Sequence, residues 1–327
     1  MTQKKQKQKQ KLKLNLKDKK YLISDSCFFQ LRSKKKLTKL LNASLSSLKS
    51  LTDDKNYNCY VDSTGHKSRN IEHPYFDLDK VQTRIASLIC RIEQPDYVHS
   101  GVKGRSHITN AAQHIGNHKL LTSDIQTFFP STTRRMVFDF FYKQLKCTPD
   151  IADLLASLCT CKGHIPTGSR ISMPLAYWAN EPMFKLLNQL STSKNITFTL
   201  FVDDIVFSGN EINKTFEYNI KRIISNHGHT AHPRKTKLYN AEKTKIVTGV
   251  AVDTVGLLVA NKHRKNIYQD ISQWKVIEQA GFQFEPLNNR VLGRMNAQSL
   301  IDYRFKDKAR TLRLSIKKAE QNTPTPS

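Results

Sequence analysis

Two adjacent carboxylates stand in an otherwise apolar, β-prone run, Phe201-Val202-Asp203-Asp204-Ile205-Val206-Phe207. Aspartate is a poor strand residue, and two together repel unless something cationic neutralises them. Taken alone the pair reads as a hairpin tip, where aspartate is common and solvated. A second apolar run changes the weighing. Leu120-Leu121-Thr122-Ser123-Asp124-Ile125 also ends in a carboxylate, followed by the aromatic pair Phe128-Phe129. Two neighbouring strands, each presenting Asp near its end, would build a hard-oxygen site for two Mg²⁺ ions. Metals about 4 Å apart can activate a 3′-hydroxyl and stabilise the leaving pyrophosphate of an in-line displacement.

Elements must hold these residues in place. Residues 196–202 and 205–208 read as two strands separated by Asp203-Asp204, a hairpin signal. Lys119 to Ile125 reads as a strand, and Ile246–Val252 with Val255–Val259 as a further strand pair. Leu37, Leu40, Leu41, Leu45, Leu48 and Leu51 recur at helical spacing and predict one amphipathic helix. A second runs through Leu78, Val81, Ile85, Leu88, Ile89 and Ile92, stopped by Pro95. Short strands are expected around a turn at Ser63-Thr64-Gly65, helices over 136–145 and 172–190, and basic helices beyond about 262. The order is helical, mixed, then helical: an α+β protein with a sheet at its centre.

The chain's 327 residues carry 53 Lys and Arg against 27 Asp and Glu, a net charge of +26. Residues 1–50 hold half of that excess, so the remainder is itself basic. Such a chain expects a polyanionic partner. The first twenty residues, with nine Lys, read as a disordered basic arm unable to bury enough surface to offset chain entropy. They lack the bulky apolar face of a membrane anchor and the apolar core of a signal peptide. No run of about eighteen apolar residues predicts a membrane span. Six scattered cysteines suit a reduced, cytoplasmic setting, and Cys159-Thr160-Cys161 lacks the spacing of a zinc knuckle. His114 and His118 lie four apart with no third ligand following, so His114 reads as a fold or RNA-contact residue. His227, His229 and His232 read as a solvated polar turn.

In order along the chain, these motifs resemble those of reverse transcriptases. Asp124-Ile125-Gln126-Thr127-Phe128-Phe129-Pro130-Ser131 resembles the family's first catalytic motif and Phe201-Val202-Asp203-Asp204 its second. Between them Ile165-Pro166-Thr167-Gly168-Ser169-Arg170-Ile171-Ser172-Met173-Pro174-Leu175-Ala176 is similar to the motif that lies against template and incoming nucleotide. Pro233-Arg234-Lys235-Thr236 resembles the Lys-Thr motif near the nucleotide phosphates. Order and gaps agree over roughly residues 57–260. Asn110-Ala111-Ala112-Gln113-His114 and Val247-Thr248-Gly249 resemble signatures of the bacterial retron branch, as does a short chain without an added endonuclease or maturase domain. The sequence departs from the family at Thr167 (usually Gln), at Arg170-Ile171, and at Phe201 and Val202 (commonly Tyr and Ala). These changes bear on fidelity and sugar discrimination.

The resemblance implies a right-hand polymerase: a disordered arm (1–20), fingers (21–120), a palm (121–255) with inserted fingers segments, a helical, RNA-binding thumb (256–320), and a loose tail (321–327). Asp124, Asp203 and Asp204 become the catalytic set. With Ile125 they are the expected ligands of two Mg²⁺ ions, for which Mn²⁺ could substitute. Lys67, Arg69, Phe129, Gly168 and Lys235 are expected to bind nucleotide. Phe129 acts as a steric gate, Lys67 and Arg69 hold triphosphate oxygens, and Gly168 allows close backbone approach. Asn110, His114, Val247, Thr248 and Gly249 are expected to contact RNA. Implied partners are dNTPs, a cognate structured non-coding RNA copied into a branched RNA–DNA hybrid primed from a 2′-hydroxyl, and an effector protein in anti-phage defence. Another bacterial reverse transcriptase (group II intron, diversity-generating or abortive-infection type) and a non-catalytic RNA-binding scaffold are the alternatives.

Overall fold

The Asp-bearing apolar runs form the centre of a four-stranded antiparallel sheet in the computed structural model, which describes residues 12–17, 19–64, 68–280 and 284–322. The chain is mixed helix and sheet, as expected.

The leucine-rich N-terminal stretch folds as two helices rather than one, α1 (Lys34–Leu41) and α2 (Leu45–Ser50). Asn42 caps α1 in the left-handed conformation at φ 52°, and the Ser44 side chain accepts from the Ser47 amide to start α2. Helical spacing of leucines cannot reveal such a break, because both halves bury the same stripe: Leu37, Leu41 and Leu48 are all in the core. The hairpin β1 (Tyr57–Asp62) and β2 (Arg69–Pro74) follows, in the register Asp62 opposite Arg69. Helix α3 (Phe76–Ile89) buries nearly its whole length. Part of the expected loose arm is docked on it. The Asn15 amide donates to Ser87 Oγ (2.9 Å), and Arg91 donates to the Asn15 carbonyl (2.9 Å). Residues 1–11 and residue 18 of that arm lie outside the described residues.

Helix α4 (His107–Ala112) leads into β3 (Leu120–Asp124), the strand carrying the first carboxylate. Then come α5 (Phe128–Ser131), α6 (Arg134–Asp139), whose last turn widens into a π-helix over Phe140–Gln144, and α7 (Pro149–Leu158). The helix expected over 172–190 is also two: α8 (Ser172–Ala179) and α9 (Glu181–Thr192), because Pro182 starts a new helix after Asn180. Strands β4 (Thr197–Phe201) and β5 (Asp204–Ser208) form the expected hairpin. Helix α10 (Lys214–Asn226) leads to β6 (Lys237–Tyr239), giving the strand order β4-β5-β3-β6. Phe198, Leu200, Ile205 and Phe207 enter a core shared with the helices, while Thr199 and Val206 between them are buried as well, so both faces of the hairpin are covered.

The next run is not one strand but a tight hairpin, β7 (Lys245–Val247) and β8 (Val250–Val252), joined by β9 (Leu257–Leu258) in a small second sheet. Thr248 (φ 45°) and Gly249 (φ 83°) make the turn, the positive-φ pair that a two-residue hairpin demands. Helices α11 (Asn261–Gln279), α12 (Glu285–Gln298) and α13 (Arg304–Asn322) close on a core of their own around Ile267, Val291, Met295 and Phe305. Among the described residues no helix is long and apolar enough to cross a membrane.

Candidate active site

Strand register brings the three aspartates together. Asp124 ends β3 directly opposite Asp204 at the start of β5. The Ile125 amide donates to the Asp203 carbonyl (3.0 Å), locking the β4–β5 turn against the end of β3. Asp124 is buried, whereas Asp203 and Asp204 are half-buried. Burial, together with the charges of Asp203 and Asp124, pushes the Asp204 carboxyl up to about 6. Asp203 is raised by burial and by Asp124, with Lys235 and Arg69 working in the opposite sense.

Lys235 is therefore no idle surface lysine. The His232 amide donates to the Asp124 carbonyl (2.7 Å), and the turn beginning there swings Lys235 Nζ to 2.5 Å from Asp124 Oδ2. Partial burial opposes its charge, but the bond to Asp124 and the three carboxylates raise its pKa overall. A cleft of about 420 Å³ opens here, lined by Asp124, Phe201, Asp204, Lys235, Thr248 and Gly249. Arg234 and Lys237 also line it. Arg234, read only as part of the Lys-Thr motif, and Lys237, at the start of the edge strand β6, were assigned no role from the sequence, although their charge beside Lys235 was the available signal.

The donor set suits hard divalent cations, being all oxygen, crowded and like-charged, so that a cation would relieve the repulsion that lifts Asp204. Among the described residues, however, no three His, Cys, Asp or Glu side chains stand close enough to hold a metal ion as they are placed. The carboxylates converge without closing into a cage, and Asp124 is held by Lys235. Ile125 could contribute only its backbone carbonyl, because its side chain is apolar and buried.

The remaining expected nucleotide residues are spread over three elements. Arg69, exposed at the start of β2, is near enough for its charge to act on Asp203. Lys67 lies outside the described residues. Phe129 is half-buried, 6.0 Å from the ring of Phe128, and does not line the cleft. Gly168 sits at φ +116°, and a Cβ there would stand 2.9 Å from Ile71 Cγ2. The close approach it allows in this structure is to β2, where the Glu72 amide donates to the Thr167 carbonyl (2.7 Å).

The two short signatures meet across 138 residues of chain. Asn110 Nδ2 lies 3.5 Å from Thr248 Oγ1, and Thr248 Oγ1 donates to the His107 carbonyl (3.0 Å). His114 Nδ1 and Nε2 each lie 2.7 Å from a hydroxyl, of Ser208 on β5 and Thr199 on β4. Burial, with smaller contributions from His118, His99 and Lys245, drives the His114 pKa down to about 3. Asn110 and Val247, expected to contact RNA, are instead fully buried, and so is His114, which takes the fold role that was one of its two readings. Their hydrogen bonds and apolar packing clamp α4 to the sheet and to the β7–β8 turn. Only Thr248 and Gly249 reach the cleft. A second correction falls on His229, expected in a solvated turn. It is buried between Asn180 Oδ1 (2.6 Å) and Ser131 Oγ (2.8 Å), and burial lowers its pKa to about 4.

No family model matches the chain. Its sequence is similar to that of the retron Se72 reverse transcriptase of Salmonella heidelberg, 31% identical over 150 residues. The aligned stretch is 44% of this chain and 38% of that protein. The retron Ec86 reverse transcriptase of Escherichia coli is 24% identical over 71% of this chain and 74% of its own length. The retron Mx65 reverse transcriptase of Myxococcus xanthus is 28% identical over 57% of this chain and 48% of its own. The chain thus spans less than half of two of these relatives and about three quarters of the third. It is a relative of reverse transcriptases. Within them, it is a homologue of the retron enzymes.

Proposed function

We propose that the chain is an RNA-directed DNA polymerase of retron type. The observation that carries this reading is the register pairing of Asp124 with Asp204 beside the Asp203 turn, in a basic chain homologous to retron reverse transcriptases. The β1–β2 hairpin and α1–α3 serve as fingers, the four-stranded sheet as palm, and α11–α13 as thumb. Asp124, Asp203, Asp204 and the Ile125 carbonyl would hold two Mg²⁺ ions, which when bound supply charge neutralisation and activation of the primer hydroxyl. Lys235 hands its interaction from Asp124 to the nucleotide phosphates, and Arg69, with Lys67, meets the triphosphate from the fingers side. Phe129 serves as the steric gate, and Gly168 lets the backbone lie close to the nascent base pair. Thr248 and Gly249 form the wall along which the primer strand lies.

The basic surface binds a cognate structured RNA, copied into a branched RNA–DNA product from a 2′-hydroxyl, with an effector partner in anti-phage defence. The test is to purify the protein with its bound nucleic acid, sequence it, and assay dNTP incorporation with Mg²⁺. A short branched RNA–DNA species and loss of synthesis in Asp203→Asn with Asp204→Asn are expected. Synthesis that survives the double substitution refutes the mechanism; absence of the branched species refutes the retron assignment.

A further inference from the structure

The aspartate turn is strained, and it is held from two sides. Val202 occupies its first position at φ +61°, left-handed backbone that a β-branched residue adopts only under constraint. On one side the Ile125 amide grips the Asp203 carbonyl (3.0 Å). The other side faces the open edge of the sheet, since β4 is its outermost strand. There the segment 97–100 runs parallel to β4. The Leu200 amide donates to the Tyr97 carbonyl (2.8 Å), and the His99 amide donates to the Leu200 carbonyl (2.9 Å). The next inward amide is that of Val202, and its acceptor is a side chain, Ser100 Oγ at 3.0 Å.

A hydroxyl takes the place of a carbonyl there because the segment leaves the edge at once. Gly101 turns at φ +69°, packed so closely on Met173 that a Cβ would stand 2.8 Å from its terminal methyl. The segment itself is fixed. His99, buried, bonds Thr109 Oγ1 (2.9 Å), and Arg105 Nη1 donates to the Val98 carbonyl (2.7 Å). Ser100 is thus presented by a rigid support, 102 residues away in sequence, to the amide next to Asp203.

We infer that Ser100 is a positioning residue for the catalytic turn: its hydroxyl holds the strained Val202 peptide and thereby sets where the Asp203 carboxylate points. The inference rests on the proposed polymerase reading for its kinetic consequence, but not for its structural one. A hydroxyl that merely satisfied a half-buried amide would alter stability alone. One that aims a carboxylate alters turnover at unchanged nucleotide binding, and its loss matters less once the strain is relieved.

The test uses the full chain as wild type, Ser100→Ala, Ser100→Thr, Val202→Gly and the Ser100→Ala/Val202→Gly double variant. Ser100→Ala should lower kcat for primer extension about tenfold, the scale of one lost hydrogen bond. The nucleotide KM should stay within about twofold, a transition-state effect rather than a binding one. Ser100→Thr should restore kcat, and the loss should shrink in the Val202→Gly background, where positive φ is unstrained. Amide exchange measured without metal should quicken over residues 199–206 in Ser100→Ala. An unchanged kcat in Ser100→Ala, an equal loss in the Val202→Gly background, or unchanged exchange overturns the inference. Should Ser100→Ala not fold, Ser100→Cys, whose sulfur is a weak acceptor, carries the same measurements; wild-type turnover in it overturns the inference. Failure of the wild type to make DNA refutes the polymerase reading, and the exchange data then decide the tether by themselves.

Discussion

Lowering the pH from 7 to 5 should expose how His114 is held. Its ring is fully buried, with both nitrogens bonded to hydroxyls at 2.7 Å and its pKa depressed from 6.5 to about 3. In the unfolded chain the ring protonates near 6.5, whereas in the native protein it stays neutral to about 3. The stability linked to this histidine is therefore complete above 6.5 and is lost as pH falls from there toward 3. At pH 5 the loss is ~2 kcal/mol, from ~1.5 pH units at ~1.36 kcal/mol each. His229, lowered to about 4, adds a loss in the same direction. Asp203 and Asp204 act oppositely: their raised carboxyls favour the folded state as pH falls through that range. The clean quantity is thus a difference. His114→Gln keeps a donor and an acceptor for Ser208 and Thr199 but does not titrate. Urea unfolding of both proteins at pH 7 and pH 5 should show the wild type losing ~2 kcal/mol more than the variant. A gap that stays constant within ~0.5 kcal/mol between the two pH values refutes the buried neutral clamp.

Three further outcomes are expected. Lys235→Met should reduce kcat for primer extension by ~10–100-fold, since Asp124 loses its 2.5 Å cationic partner and, on the proposed reading, the nucleotide loses a phosphate contact; steady-state kinetics giving wild-type values would remove Lys235 from the chemistry. Gly168→Ala should destabilise the fold by ~1–3 kcal/mol, because φ +116° and the 2.9 Å approach to Ile71 both exclude a Cβ; thermal melting checks it. Asn110→Ala and Thr248→Ala should be non-additive by at least ~0.5 kcal/mol in a double-mutant cycle of chemical unfolding, as expected for side chains in contact.

The sheet and its carboxylates were legible because apolar, β-prone runs and a two-residue turn are local signals. Asp124, Asp203 and Asp204 fall where those signals put them. What escaped depended on contacts between distant segments. His229 carries no mark separating it from His227, yet one is buried against Asn180 and the other is half-buried at the end of α10. The leucine stripe of α1 and α2 is continuous in sequence, and only the left-handed Asn42 divides it. Asn110, His114 and Val247 were recognisable as a signature, but a signature does not say which way a side chain faces. Burial turned expected RNA contacts into a clamp.

That clamp also constrains how the molecule is made. Ile108 and Ala111 on α4 pack with Val247, Val250 and Val252, so the apolar face of α4 leaves the ribosome well over a hundred residues before its cover does. Loop closure over such a span is slow, and an unpaired apolar helix invites misassociation in the interval. The wall of the cleft is therefore a late event of folding. A nascent chain truncated before β7 would carry all three aspartates yet lack Thr248 and Gly249, the two residues of this clamp that line the cleft beside them.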